Sequence, residues 1–269
     1  MTVSGKLRSK ATGTRGRGPV REDLGFDVGA ERTSWPAVEE YLAKDNRVII
    51  PVGSQEQHGR HLPLGTDWMI PYALGRMVSA RTGVFCTSPV CYGMSWLHSA
   101  FPGTVALKPG TLTAVYTEIM EELHAQGFRR MLVLNGHGGN TNALNAALSV
   151  LVRKMDDLRI KVHQWWMIPP VQEICLREFG ALDSHAGPAE TSLLLHLLPT
   201  VVRMEAATDN ASPFLPFFPN PGQIRDLYPD GVMQNDATRA NATTGDKIVD
   251  SCLSFLEAEL SVGEQNEGW

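Results

Sequence analysis

Glu56, His58 and Asp67 fall within the run PVGSQEQHGRHLPLGTD at 51–67, and three such side chains on one short stretch point to a divalent-metal site. The carboxylate, the imidazole and the second carboxylate can face one cavity if the chain leaves a buried strand and turns through Gly59 and Gly65. Two further runs offer the same donor types among small residues. NGHGGN at 135–140 carries His137, and DSHAGPAETS at 183–192 carries His185 and Glu190. All these donors are nitrogen or oxygen, which suits zinc, manganese or iron and disfavours a purely structural, cysteine-held zinc. Blander roles compete. NGHGGN could cradle a phosphate at a helix start, although it lacks the GxGxxG and GxxxxGK[ST] spacings. A first-turn carboxylate such as Glu190 is often only a dipole partner, worth under about 1 kcal/mol, and Asp183 is equally placed to cap the same helix. Taken together, the three runs predict a metallohydrolase.

Such residues meet only if the fold gathers them. Short β-rich runs alternate with helical stretches, which predicts an α/β chain: one domain, a three-layer α/β/α sandwich with a largely parallel central sheet. Strands are expected at 47–52, 84–90, 131–134 and 160–165, each apolar or β-branched and bounded by glycine, proline or charge. Helices are expected at 68–81, 112–126, 141–154 and 191–198. Each donor run then follows a strand or opens a helix, and in open α/β sheets ligands collect beyond the carboxyl ends of the strands. The strand before NGHGGN delivers His137 to that edge, with Gly136, Gly138 and Gly139 letting the backbone turn tightly.

At 269 residues and 43% hydrophobic content, the chain is long enough for one large core. A net charge of −5 provides no basic face, so nucleic acid is not an expected partner and a small-molecule substrate is. Cys86, Cys91, Cys175 and Cys252 show no CxxC spacing and read as reduced thiols. Residues 1–30 read as a disordered or extended basic arm and 31–262 as the hydrolase domain. No apolar stretch follows the arm's basic residues, so no membrane association and a cytoplasmic location are expected.

Four blocks, GSQEQHGRHLPLGTD (53–67), SWLHSAFPGT (95–104), NGHGGN (135–140) and HAGPAETS (185–192), resemble the creatininase family of metal-dependent amidohydrolases in order and separation, over residues 33–260. The resemblance implies two divalent ions per chain at the carboxyl edge of the sheet. Carried onto this sequence, it places Glu56 and His137 on the first ion, His58 on the second, Asp67 bridging both, and His185 in proton transfer. It also implies a homo-oligomer, a hexamer being favoured. The departures concern the substrate. Creatinine-cleaving members carry a Tyr-Glu pair where this chain has Gly138 and Gly139, so the vacated oxygen position falls to Glu190 or to water. Trp166 matches one of two tryptophans that close over creatinine, and Ala181 stands where the other would be. Gly138 and Ala181 thus predict a more open pocket, and 93–101 is short beside the creatinine-specific members.

Other residues are expected around the pocket. His98 lines it or binds substrate, and Arg60, where many relatives have proline, either meets an anionic group or is solvated. His61 orients a ligand from outside the centre. His124, His163 and His196 are ordinary core or surface histidines, and the proline-rich run at 213–222 forms an ordered loop at the pocket mouth or a subunit contact.

Two divalent ions about 3.5–4 Å apart can share a water, bring its pKa towards neutrality and present it to a carbonyl carbon. The function expected is hydrolysis of a C–N bond in a small cyclic amide, or a related amide or formamide, by that water. His185 protonates the leaving nitrogen, an imidazole being able to accept and return a proton near neutral pH, and Glu190 assists. Ring opening of an inosose-type keto-cyclitol and peptide-bond cleavage in the maturation of a peptide-derived cofactor are alternatives within that class. A non-catalytic, metal-binding oligomer is the alternative outside it.

Overall fold

The computed structural model describes residues 29–210, 217–261 and 269. In chain order the elements are α1 (Trp35–Leu42), β1 (Arg47–Val52), α2 (Thr66–Thr82), β2 (Phe85–Cys86), α3 (Pro109–Gln126), β3 (Arg130–Asn135) and α4 (Thr141–Lys154). They continue with β4 (Arg159–Gln164), α5 (Pro169–Phe179), α6 (Pro188–Leu197), β5 (Asp209–Asn210), α7 (Pro221–Leu227), β6 (Asn235–Asp236) and α8 (Ala242–Leu260). Four strands form a parallel sheet in the order β2-β1-β3-β4, while β5 and β6 pair antiparallel apart from it. The chain is therefore mixed α/β around a parallel sheet, as expected.

Period-two alternation along the central strands builds the two outer layers. Val48, Ile50 and Val52 of β1 and Met131 and Val133 of β3 pack with Leu112, Tyr116 and Met120 of α3 and Leu144 and Leu151 of α4. Ile49, Leu132 and Leu134 point the other way, into a cluster with Ile70 and Leu74 of α2, Val171 of α5, Leu193 of α6 and Leu253 and Leu256 of α8. Each such side chain, fully buried, contributes about 1.5–3 kcal/mol. Burial on both faces is why β1 and β3 read as unbroken apolar runs.

The register, Val52 beside Asn135 and Asn135 beside Gln164, brings the carboxyl ends of β1, β3 and β4 level. Two glycines at that edge let a helix settle on it. A Cβ on Gly136 would lie 1.9 Å from the carbonyl oxygen of Asp67, and one on Gly53 would lie 2.3 Å from the same atom. That carbonyl belongs to the first turn of α2, where Pro71, four residues on, has no N–H to offer it.

Several boundaries differ from expectation for identifiable reasons. The strand expected at 84–90 is only Phe85–Cys86, with a separate bridge between Val52 and Val90, because Pro89 has no N–H for the ladder. Helix α6 opens at Pro188, placing Glu190 in its first turn, and α2 opens at Thr66, taking Asp67 into the helix. Of the expected arm, residues 1–28 lie outside the described residues. Residues 29 and 30 belong to the sheet edge instead: Gly29 bridges Cys86, and the Ala30 N–H donates to the Cys86 carbonyl. In the proline-rich run, 213–216 lie outside the described residues and Pro221 begins α7, capped by Asn220. Proline at a first helical position loses no bond that a helix would have made.

Candidate metal centre

Loops and helix starts that are far apart in sequence deliver six donors to one place at the sheet's carboxyl edge. Glu56 and His58 come from the loop after β1, Asp67 from the first turn of α2, and His137 from the residues after β3. His185 and Glu190 come from the approach to α6 and its first turn. His58 Nε2 stands 2.9 Å from Asp67 Oδ1 and 3.8 Å from Glu190 Oε1. His137 Nδ1 stands 3.0 Å from Asp67 Oδ2 and 3.4 Å from Glu56 Oε1. Asp67 thus turns one oxygen to each imidazole. Within each of the sets Glu56/Asp67/His137, His58/Asp67/Glu190 and Glu56/His58/His185, the donor atoms lie within 4.8 Å of one another.

These sets could hold divalent cations. Glu56 Oε2, His58 Nε2 and Asp67 Oδ2 are buried and have no partner in hydrogen-bonding geometry, a cost of about 1–3 kcal/mol for each orphaned atom. A cation between them removes that cost. Protons partly replace it in the metal-free chain. Burial raises the Glu56 carboxyl to about 7, against the pull of His137. Burial pulls His137 down, but Glu56 and Asp67 overcome it and raise the imidazole to about 9. His58 is likewise raised, burial being outweighed by Asp67 and Glu190. Asp67, although buried, is held well below the ordinary carboxylate range by His58 and His137.

Polar contacts aim the donors. The Asn135 and Asn140 amides brace the His137 loop: Asn135 Nδ2 donates to the His137 carbonyl at 2.8 Å, and Asn140 Nδ2 donates to the Gly53 carbonyl at 3.0 Å. Glu190 Oε2 accepts from the Ala186 N–H at 2.8 Å, leaving Oε1 towards His58. Asp183 does cap α6, accepting from the N–H groups of Ala189 at 3.1 Å and Glu190 at 3.0 Å. His61 is a member of none of the three sets; its Nε2 pairs with Thr191 Oγ1 at 2.9 Å, next to Glu190, and ties the loop after β1 to α6. His185 Nδ1 faces Glu56 Oε1 at 3.4 Å, and its ring stacks on His98 with centroids 4.2 Å apart.

The centre opens into a cavity of about 770 Å³ lined by Glu56, Asp67, His137, His185 and Glu190, with His98, Trp166 and Gly138 on its walls. Gly138 is exposed, and a Cβ there would approach Trp166 no closer than 3.8 Å, so nothing occupies the space a larger side chain would fill. Arg60 does not join them: it is exposed and outside the lining, and Ala181 is also exposed and outside it. No lysine or arginine lines the cavity among the described residues. His124, His163 and His196 lie elsewhere, paired with Asp157, Glu259 and Asp246.

Residues that motif spacing does not single out also line or support the site. Trp96 and Phe218 stack at 5.2 Å across the outer wall, Phe218 being 85% exposed. Ser95 Oγ lies 3.4 Å from His137 Nε2, and Gln57 is buried between His98 and His185. The paired asparagines at the ends of NGHGGN were a usable signal, since Asn at a strand end commonly bonds nearby backbone. Nothing local marks Phe218, while Gln57, Ser95 and Trp96 stand inside the blocks at 53–67 and 95–104 without a role that spacing assigns them.

A family model described as creatinine amidohydrolase matches residues 31–260. The mycofactocin precursor peptide peptidase of Mycobacterium ulcerans is 34% identical over 89% of this chain and 92% of its own length. The creatinine amidohydrolase of Pseudomonas putida is 27% identical over 83% of this chain and 92% of its own. A manganese form of creatininase superposes with a TM-score of 0.79 at 26% identity, covering 86% of this chain and 96% of that one. A zinc-zinc form of a mutant creatininase gives 0.77 at 26%, covering 86% and 95%. Among the described residues no helix is long and apolar enough to cross a membrane. With its fold, its four sequence blocks and a family match over most of its length, the chain belongs to the creatininase family of hydrolases.

Proposed function

We propose that this chain hydrolyses the C–N bond of a peptide-type amide, using one divalent ion held by Glu56, His137 and Asp67 and a second held by His58, Glu190 and Asp67. The observation that carries this is Asp67, whose two oxygens face two separate sets of buried donors on the wall of an open cavity. Bound ions supply an activated water and polarise the scissile carbonyl. The chain's own residues do the rest. Glu56 and Asp67, buried and fixed by the first turn of α2 and the loop before it, keep the donors from rearranging as charge develops. His185, beside Glu56, takes up the proton that the attacking water gives up and returns it to the departing nitrogen.

A peptide-type substrate is favoured over a small ring for two reasons. A cavity of about 770 Å³ is in the range that takes drug-sized ligands. A Cβ on Gly138 would meet nothing nearer than Trp166 at 3.8 Å, so the cavity is open there, whereas Gly139 is closed in by His137 and the Met94 carbonyl; and the similar protein of Mycobacterium ulcerans is a precursor peptide peptidase. The small cyclic amide remains as a second reading, supported by Trp166 on the cavity wall and by the similarity to a creatinine amidohydrolase.

A panel of short peptides, creatinine, lactams and formamides assayed with the manganese- or zinc-loaded chain separates the two. Cleavage of peptides with little turnover of creatinine is expected, and His185→Ala should keep its metal while kcat falls by about 10²–10⁴. Rapid creatinine turnover with peptides left intact would reverse the substrate assignment. Full activity in His185→Ala would remove that residue from proton transfer.

A further inference from the structure

The amide of Gln57 lies 5% exposed between the two stacked imidazoles, and its hydrogen bonds can be counted out. Its Oε1 accepts from the Gly59 N–H at 3.0 Å, which fixes the orientation of the group and turns Nε2 towards the histidines. Nε2 carries two hydrogens but has three neighbours within reach: His98 Nδ1 at 3.0 Å, the Gly231 carbonyl at 3.1 Å and His185 Nε2 at 2.8 Å. His185 Nε2 also lies 2.7 Å from the Gln57 main-chain carbonyl, which can only accept. That nitrogen must therefore bear its ring's proton, and it has no lone pair for the amide. The two amide hydrogens go to the Gly231 carbonyl and to His98 Nδ1. With His98 accepting at Nδ1, its own proton sits on Nε2, which faces Glu56 Oε1 at 3.6 Å. The contacts themselves place one proton on each ring, on Nε2 of His98 and on Nε2 of His185.

We propose that Gln57 is a positioning residue that locks His98 and His185 so that they present opposite atoms to the centre, an N–H from His98 and a bare Nδ1 from His185. The chain needs both. A lone pair aimed at the donors can take a proton or a cation, and an N–H beside it can stabilise oxygen charge as a carbonyl is attacked. This consequence rests on the proposed hydrolysis, but the proton positions do not, so each can fail separately.

Nitrogen-15 NMR of the zinc-loaded full chain reads the tautomers with no substrate present. Only eight histidines need assignment, and spectra of His98→Gln and His185→Gln identify the two that matter. Both rings are expected to carry the proton on Nε2. In Gln57→Glu the oxygen that replaces Nε2 can only accept, so His98 should move its proton to Nδ1. Metal content and KM should hold while kcat falls about ten- to a hundredfold, the usual effect of losing a group that orients a working histidine. Gln57→Met, which offers neither donor nor acceptor strength, should leave His98 a mixture of tautomers. A wild-type His98 protonated on Nδ1, or an unchanged His98 spectrum in Gln57→Glu, would overturn the assignment. The wild-type spectrum decides the matter even if neither variant folds.

Discussion

Replacing Asp67 by asparagine keeps the shape of the bridging side chain and removes its charge, which tests the two-ion reading at its most sensitive point. Asp67 Oδ1 faces His58 at 2.9 Å and Oδ2 faces His137 at 3.0 Å, so one substitution weakens both donor sets together. Each set falls from three donors to two anionic or imidazole groups and a poor amide ligand. Losing even an outer partner of a ligand costs about 10–100-fold in metal affinity, so losing a shared carboxylate should cost at least about 100-fold at each site. The loss also shows as stability. A site at a hundredfold excess of free metal over its Kd stabilises the fold by about 2.7 kcal/mol, or about 5 kcal/mol for two sites. For a chain of this size that corresponds to roughly 10–20 °C in Tm. Thermal melts with and without chelator should show that gap in the wild type and almost none in Asp67→Asn, and elemental analysis after gel filtration should give near two and near zero ions per chain. Two tightly held ions in Asp67→Asn, or a wild type whose melt ignores chelator, would refute the bridging role.

Metal uptake should release protons, because the donors must be deprotonated to bind. His137 is raised to about 9, so at pH 8 it is largely protonated before metal binds and its proton leaves on loading, and His58, raised by Asp67 and Glu190, adds to the release. Glu56, raised to about 7, adds up to one more as the pH falls through that value, so apparent affinity falls more steeply there. Calorimetry in buffers of different ionisation enthalpy measures the number, and a heat independent of buffer would exclude it. Gly136→Ala should displace the first turn of α2 because its Cβ would meet the Asp67 carbonyl at 1.9 Å. Metal content and Tm should fall together, and a variant that melts like the wild type with both ions bound would show that the edge of the sheet can adjust.

Much of the frame is legible in the sequence because burial on both faces leaves a plain trace. Strands β1, β3 and β4 are expected within a residue of their observed ends, each being an apolar run stopped by charge or by a polar turn. Helices α5 and α8 are not among the expected elements: α8 packs on α2 and α6, α5 packs on α8, and their apolar stripes are interrupted by residues that read equally well as loop. Pro89 hid the true extent of β2 for the reason already given.

The donors and the pocket wall differ in legibility for a physical reason. A cation needs several nitrogen or oxygen atoms within a few ångströms, and a chain turning off a strand can supply two or three of them from a dozen residues, as 56–67 does. Such clusters are chemically unusual, and spacing finds them. The wall that selects a substrate is assembled from Trp96, Trp166, Phe218 and Met233, which are ordinary apolar residues from four separate segments. The contact that sets the His98 tautomer joins Gln57 to a carbonyl at Gly231, 174 residues away. Neither has a local signature, since any of these side chains would be unremarked in a core. Reaction type is therefore written in short runs of this sequence, whereas the substrate is written only in how distant segments meet, and a glycine such as Gly138 is informative there by the space it leaves open.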